Sequence, residues 1–170
     1  FARWDYVVLT ASNEKQAAGF RLQVEYRQRH GFLPKDTQFL VVPDVDGQRI
    51  GSGGATLGVL RRIAELRGNV DFTGLRILVI HSGGDSKRIP QYSAQGKLFS
   101  PVPRELPDGR ASTLFDELLI ATAGVPARIP DGMLVMSGDV LLLFNPLEIE
   151  FSGHNGAGLS LKESGDVGEN

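Results

Sequence analysis

Cysteine is absent from the 170 residues, tryptophan occurs once and methionine twice. Without cysteine there is neither a disulfide framework nor a thiolate zinc site, which suits a reducing, cytoplasmic setting. No apolar run approaches the ~20 residues a membrane-spanning helix needs, and the first residues do not read as a signal peptide. Charge of one sign is equally scarce. Lys and Arg number 18 against 20 Asp and Glu, a formal net charge of −2, so no global field draws nucleic acid or an anionic membrane surface. Heptads and short repeats are missing too, which excludes coiled-coil and collagen-like chains. A 41% hydrophobic and 22% charged composition is that of one globular domain. The chain begins at Phe1 without an initiator Met, and the expectation is a piece of a longer protein.

Glycine is abundant: 21 residues, against the roughly 12 that an average usage of about 7% gives. Some of this backbone must bend sharply or be approached closely. The apolar β-branched run from Asp5 to Thr10 predicts a strand. Ser12 is the expected cap of a helix over about Glu14 to His30, ended by Gly31 and Pro34. A second strand is expected over Gln38 to Val42, followed by the turn cluster Pro43 to Gly47. The loop Gly51-Ser52-Gly53-Gly54 should then feed a helix from Ala55 whose apolar face carries Leu57, Leu60, Ile63, Ala64 and Leu66. Arg76 to His81 reads as a buried strand, Thr113 to Ala123 as a helix, Gly132 to Met136 as a strand, and Gly158 to Lys162 as a weaker one. Strands alternating with helices imply an α/β sandwich with a mainly parallel sheet. Ligands in such sheets bind beyond the carboxyl ends of the strands, where both Gly83-Gly84 and Asp139 fall.

The segment after the third strand carries the densest local chemistry. Between Asp85 and Arg104, four bases (Lys87, Arg88, Lys97 and Arg104) face one acid, Asp85. Paired glycines after a strand let backbone N–H groups approach a phosphate, and Arg and Lys neutralise it. Gln91 to Leu98 fails the Walker A pattern, because Gln91 stands where glycine is required and Leu98 replaces Ser or Thr. Gly51 to Thr56 nearly meets the dinucleotide fingerprint, but Thr56 occupies the last glycine position. What Gly51 to Gly54 offers is a flexible loop entering the N-terminus of the helix from Ala55, where free N–H groups and the dipole favour an anion or a nucleobase edge. Asp139 follows an apolar strand and a small Ser-Gly pair, from which a carboxylate can hold a divalent ion among phosphate oxygens. His81 reads as a hydrogen-bonded rim residue without a catalytic role, and Trp4 with Tyr6 as packing at the start of the sheet. Asp44 and Asp46 belong to a solvated turn lacking the rest of a calcium loop.

Four ordered blocks carry a family likeness: VVLTASNEKQA at Val7 to Ala17, DGQRIGSGGATL at Asp46 to Leu57, HSGGDSKRIPQYSAQGK at His81 to Lys97, and SGDV at Ser137 to Val140. Together they resemble the fucokinase family, and within it the pyrophosphorylase-type N-terminal domain of bifunctional fucokinase/fucose-1-phosphate guanylyltransferases. The resemblance implies a three-layer, Rossmann-like nucleotidyltransferase sandwich of the GT-A type. It implies magnesium-dependent joining of GTP and fucose 1-phosphate into GDP-fucose with release of pyrophosphate. Residues 1–150 would form the nucleotide-binding domain and 151–170 a glycine-rich continuation, with a GHMP-type kinase domain further along the full-length chain.

Carried over by motif, the resemblance assigns Gly83 and Gly84 to the triphosphate, Lys87, Arg88 and Lys97 to catalysis, Gly51, Ser52, Gly53 and Gly54 to the nucleoside, and Asp139 to magnesium. No second metal ligand matches. The alternative is a non-catalytic or substrate-binding domain of an ATP-dependent fucokinase. Asp85 in the glycine segment favours that alternative, since a carboxylate repels a triphosphate.

Overall fold

The computed structural model describes residues 2–44, 51–82, 97–141, 145 and 148. Strand β1, Tyr6–Ala11, is buried along its whole length, as an apolar run flanked on both sides by other strands must be. Helix α1, Glu14–Arg29, follows after two residues and leads to β2, Gln38–Pro43. The cap of α1 is Asn13, whose side chain accepts from the Gln16 backbone N–H. Ser12 is not the cap as expected: its N–H and hydroxyl both donate to the Gln16 side-chain oxygen, at 2.8 and 3.1 Å, locking the strand exit against the first helical turn.

Helix α2, Gly51–Arg67, is already helical at the glycine segment, which sequence alone reads as a loop. Only Gly51 departs, with φ +72° at the helix entrance, a left-handed conformation that side chains with a Cβ rarely adopt. The buried stripe of α2 is Ala55, Val59 and Ile63, spaced i, i+4, whereas Leu57 and Leu66 face outward, correcting the expected apolar face. Strand β3, Arg76–His81, is the one expected. The hairpin of β4, Pro101–Glu105, and β5, Ala111–Thr113, was not expected. Helix α3, Leu114–Thr122, and strand β6, Gly132–Ser137, complete the described α-helices and strands. The expected turn at 45–47 and strand at 158–162 lie outside the described residues.

The main sheet runs β2-β1-β3-β6, every neighbouring pair parallel. The chain steps from β1 outward to β2, then crosses back over β1 to place β3 on its other side. That reversal puts the topological switch point between the carboxyl ends of β1 and β3. Alternating side chains send Val7, Leu9, Leu78 and Ile80 into a core with Phe20 and Val24 of α1 and Phe115 and Leu118 of α3. Tyr6, Val8, Ile77 and Val79 point the other way, onto Val59 and Ile63 of α2. The fold is therefore α/β, a parallel four-stranded sheet with helices on both faces. Trp4 is buried at the sheet's start, as expected.

One buried ion pair ties α1 to α3. Arg27 grips Asp116 through Nε (3.1 Å) and Nη2 (3.2 Å), and its guanidinium lies over the rings of Phe99 and Phe115. Thr113 caps α3 and shares Asp116 through its backbone N–H and its hydroxyl. Arg104, counted above among the bases near the glycine segment, is held by the buried Glu117 at 2.6 Å.

Candidate functional site

At the switch point a pocket of about 170 Å³ is walled by Thr10, Ala11 and Ser12 from the end of β1, Asp44 beyond β2, Gly51, Ser52 and Ala55 from α2, and His81 closing β3. Chain segments far apart in sequence meet here because the parallel sheet delivers every carboxyl end to one edge. The glycine-rich start of α2 presents amide groups that the helix itself does not bond. The volume suits part of a ligand, a base or a phosphate group, more than a whole nucleotide.

His81 is hydrogen-bonded on both ring nitrogens: Nδ1 lies 3.1 Å from the Thr10 hydroxyl and Nε2 3.0 Å from that of Thr56. Burial pushes its pKa down, and the negative charge of Asp44 offsets that only in part. The imidazole is therefore neutral at physiological pH, in keeping with the expected rim role.

Beside β3, the exit of β6 is clamped tightly. The Gly138 N–H donates to the His81 carbonyl at 2.7 Å. A Cβ at Gly138 would meet Ser82 Cβ at 3.0 Å, Ile80 Cγ2 at 3.1 Å and the His81 carbonyl oxygen at 3.2 Å. This close approach fixes where Asp139 begins, and Ser137 fixes how it points, donating its hydroxyl to Asp139 Oδ1 at 2.5 Å. Asp139 is exposed next to the end of β3. Gly138→Ala is expected to cost about 1–3 kcal/mol, as an inserted methyl does where neighbours cannot yield. Urea denaturation checks this, and unchanged stability would contradict the clamp.

The structure brings together some of the expected site residues. Gly51 and Ser52 line the pocket, and Gly53 and Gly54 sit in the same helical turn. Asp139 flanks the pocket across β3 without lining it. Lys97 is exposed and opens a 3-10 turn, Lys97–Phe99, whose Leu98 and Phe99 are buried; it is not part of the pocket wall. Gly83, Gly84, Lys87 and Arg88 lie outside the described residues. Sequence reading did not assign Thr10, Ser12 or Asp44 to the site. Thr10 and Ser12 sit inside the Val7 to Ala17 block, a signal that could have found them.

A magnesium ion can be tested against these side chains. Among the described residues no three His, Asp or Glu groups converge as a ready-made metal cage. A single carboxylate with one oxygen tied by Ser137 fits magnesium of the kind held by one or two protein oxygens, substrate phosphates and water. A larger cleft of about 400 Å³ lies at the opposite end of the strands, walled by Trp4, Phe32, Phe39, Leu119 and Ile120 among others. Despite its size it is mostly apolar and sits at the amino ends of β1 and β2, so the smaller pocket is the better candidate for binding an anion. No described helix is long and apolar enough to cross a membrane.

Comparison with known proteins agrees with the resemblance. The family model of the fucose pyrophosphorylase domain matches residues 70–170, which takes in β3 to β6. The bifunctional fucokinase/GDP-fucose pyrophosphorylase of Arabidopsis thaliana is 34% identical over an alignment covering 86% of this chain and 16% of its own length. The fucose-1-phosphate guanylyltransferases of Mus musculus and Homo sapiens are each 34% identical over 87% of this chain and 24% of theirs. This chain thus spans a quarter or less of the curated relatives it matches. No solved structure matches it. With the matched region covering more than half of the residues, the chain belongs to the fucose pyrophosphorylase domain family.

Proposed function

We propose that this chain supplies the nucleotide-binding part of a guanylyltransferase that joins GTP to fucose 1-phosphate, giving GDP-fucose and pyrophosphate, on the GT-A-type nucleotidyltransferase plan. The observation that carries the reading is the switch-point pocket, where the glycine-rich start of α2 meets the ends of β1 and β3 beside Asp139. The names of the relatives support the substrates. A kinase domain elsewhere in the full-length protein is proposed on the bifunctional relative's name.

In the reaction an oxygen of fucose 1-phosphate attacks the α-phosphorus of GTP. One P–O bond forms there, the bond to the bridging oxygen breaks, and pyrophosphate leaves with its electron pair. The attacking phosphate has a second pKa near 6 and is already largely ionised at pH 7, so no general base is needed. Alignment and charge neutralisation are what remain. Gly51 to Gly54 would seat the nucleoside. Gly83 and Gly84 would donate to the triphosphate, and Lys87, Arg88 and Lys97 would neutralise phosphate charge; for these five the support is their match to the family motif. Asp139, oriented by Ser137, would hold magnesium, which when bound screens phosphate charge and favours the leaving of pyrophosphate.

A second reading, a non-catalytic domain of a fucokinase, is favoured by the absence, among the described residues, of three His, Asp or Glu groups converging as a ready-made metal site. Exchange of labelled pyrophosphate into GTP, in the presence of GDP-fucose, separates the two. The intact protein is expected to support exchange well above an Asp139→Ala, Lys97→Ala double variant. Exchange no higher than that background, with GTP or any other nucleoside triphosphate, leaves the non-catalytic reading standing.

A further inference from the structure

Helix α2 opens with Gly51, Gly53 and Gly54 among its first four residues, and glycine is the poorest helix former after proline. A first turn of that composition needs support from outside the helix, and His81 supplies it. The Thr56 hydroxyl donates to the Ser52 carbonyl at 2.9 Å. A hydroxyl has one proton, so toward His81 Nε2, 3.0 Å away, Thr56 only accepts. Nε2 therefore carries the imidazole proton, and Nδ1 accepts from the Thr10 hydroxyl at 3.1 Å. The three hydrogen bonds run in one direction, from Thr10 at the end of β1, through His81 at the end of β3, to Thr56 and the Ser52 carbonyl in the pocket wall.

We propose that His81 is a positioning residue for the site: as the neutral Nε2–H tautomer it braces the glycine-rich first turn of α2 against β1, and so sets the pocket's grip on the nucleotide. The proposal rests on reading that pocket as the nucleotide site. His81 does not touch the reacting phosphates in this scheme. Its loss therefore weakens binding of GTP more than it slows the chemical step. Thr56, on the far side of the ring, must share the effect.

The test uses the intact protein with His81→Ala, Thr56→Val and Thr56→Ser. His81→Ala and Thr56→Val are each expected to raise KM for GTP about fivefold, the effect of one neutral hydrogen bond, with kcat changed less than about twofold. Thr56→Ser, which keeps the hydroxyl, is expected to restore most of the loss. Nitrogen-15 NMR of the wild type at pH 7 is expected to show His81 protonated at Nε2 alone. An unchanged KM, a loss confined to kcat, or the Nδ1–H tautomer overturns the proposal. If the wild type uses no nucleoside triphosphate, the nucleotide reading fails by itself, and the brace is judged by hydrogen exchange. His81→Ala must then speed exchange of the Ala55 and Thr56 amides about fivefold while leaving Ile63 to Arg67 unchanged; equal rates overturn it.

Discussion

Replacing Asp139 by Ala is expected to slow nucleotidyl transfer by about 10²–10³-fold, the usual effect of deleting one preorganised group that offsets transition-state charge. The side chain is exposed and its described contact is with the neighbouring Ser137. Stability should therefore stay within about 0.5 kcal/mol of the parent protein, as for most surface substitutions. Structural damage would lower both quantities together, so the split between them is diagnostic. Raising magnesium should recover part of the activity, because a weakened site is refilled by mass action. Steady-state rates at graded magnesium, alongside a urea melt of the same variant, check both halves. A variant that keeps most of its activity contradicts the metal role.

Asp116→Ala should have the largest effect on stability, about 3–5 kcal/mol, because it leaves the guanidinium of Arg27 buried without its counter-ion. Exchanging both partners for apolar residues of similar size, Arg27→Met with Asp116→Leu, should cost far less, since no uncompensated charge remains. Acid gives an independent handle. Burial pushes the Asp116 carboxyl up, but hydrogen bonds from Arg27 and Thr113, with the charge of Arg27, more than reverse this and hold it below the ordinary 3.8. A carboxyl with a depressed native pKa contributes its full stability above that ordinary value. The contribution is lost as pH falls through it toward the native value. Between those limits the parent protein should lose stability more steeply than Asp116→Ala. Chemical denaturation across an acid series measures the difference, and parallel curves would contradict the ion pair's role.

The centre of the sheet was legible because β1 and β3 are buried along nearly their whole length. Arg76 to His81 reads as a strand from its run of Ile, Leu, Val and Ile, and the structure places β3 over the same residues. The start of α2 was misread because three glycines in four residues signal a loop. In the structure Thr56 joins that first turn to His81, a contact across 25 positions that no local pattern announces. The β4–β5 hairpin was invisible for a different reason: β4 carries two prolines, is largely exposed and pairs with an irregular register. For the site, Asp139 and the glycine segment were legible as motifs. Thr10, Ser12 and Asp44 were not, because only the crossover that puts β3 beside β1 brings them to one pocket. Arg104, counted among the local bases by its position in sequence, is committed in the structure to Glu117.

In the proposed function nucleotide binds at the carboxyl ends of β1 and β3 and not in the larger cleft at the other end of the sheet. Amide hydrogen exchange of the intact protein, with and without saturating GTP and magnesium, distinguishes the two locations. Slowed exchange is expected at 10–12, 51–55 and 81–82, with Phe32 and Phe39 in the far cleft unchanged. Protection at Phe32 and Phe39 with none at the switch point would contradict it.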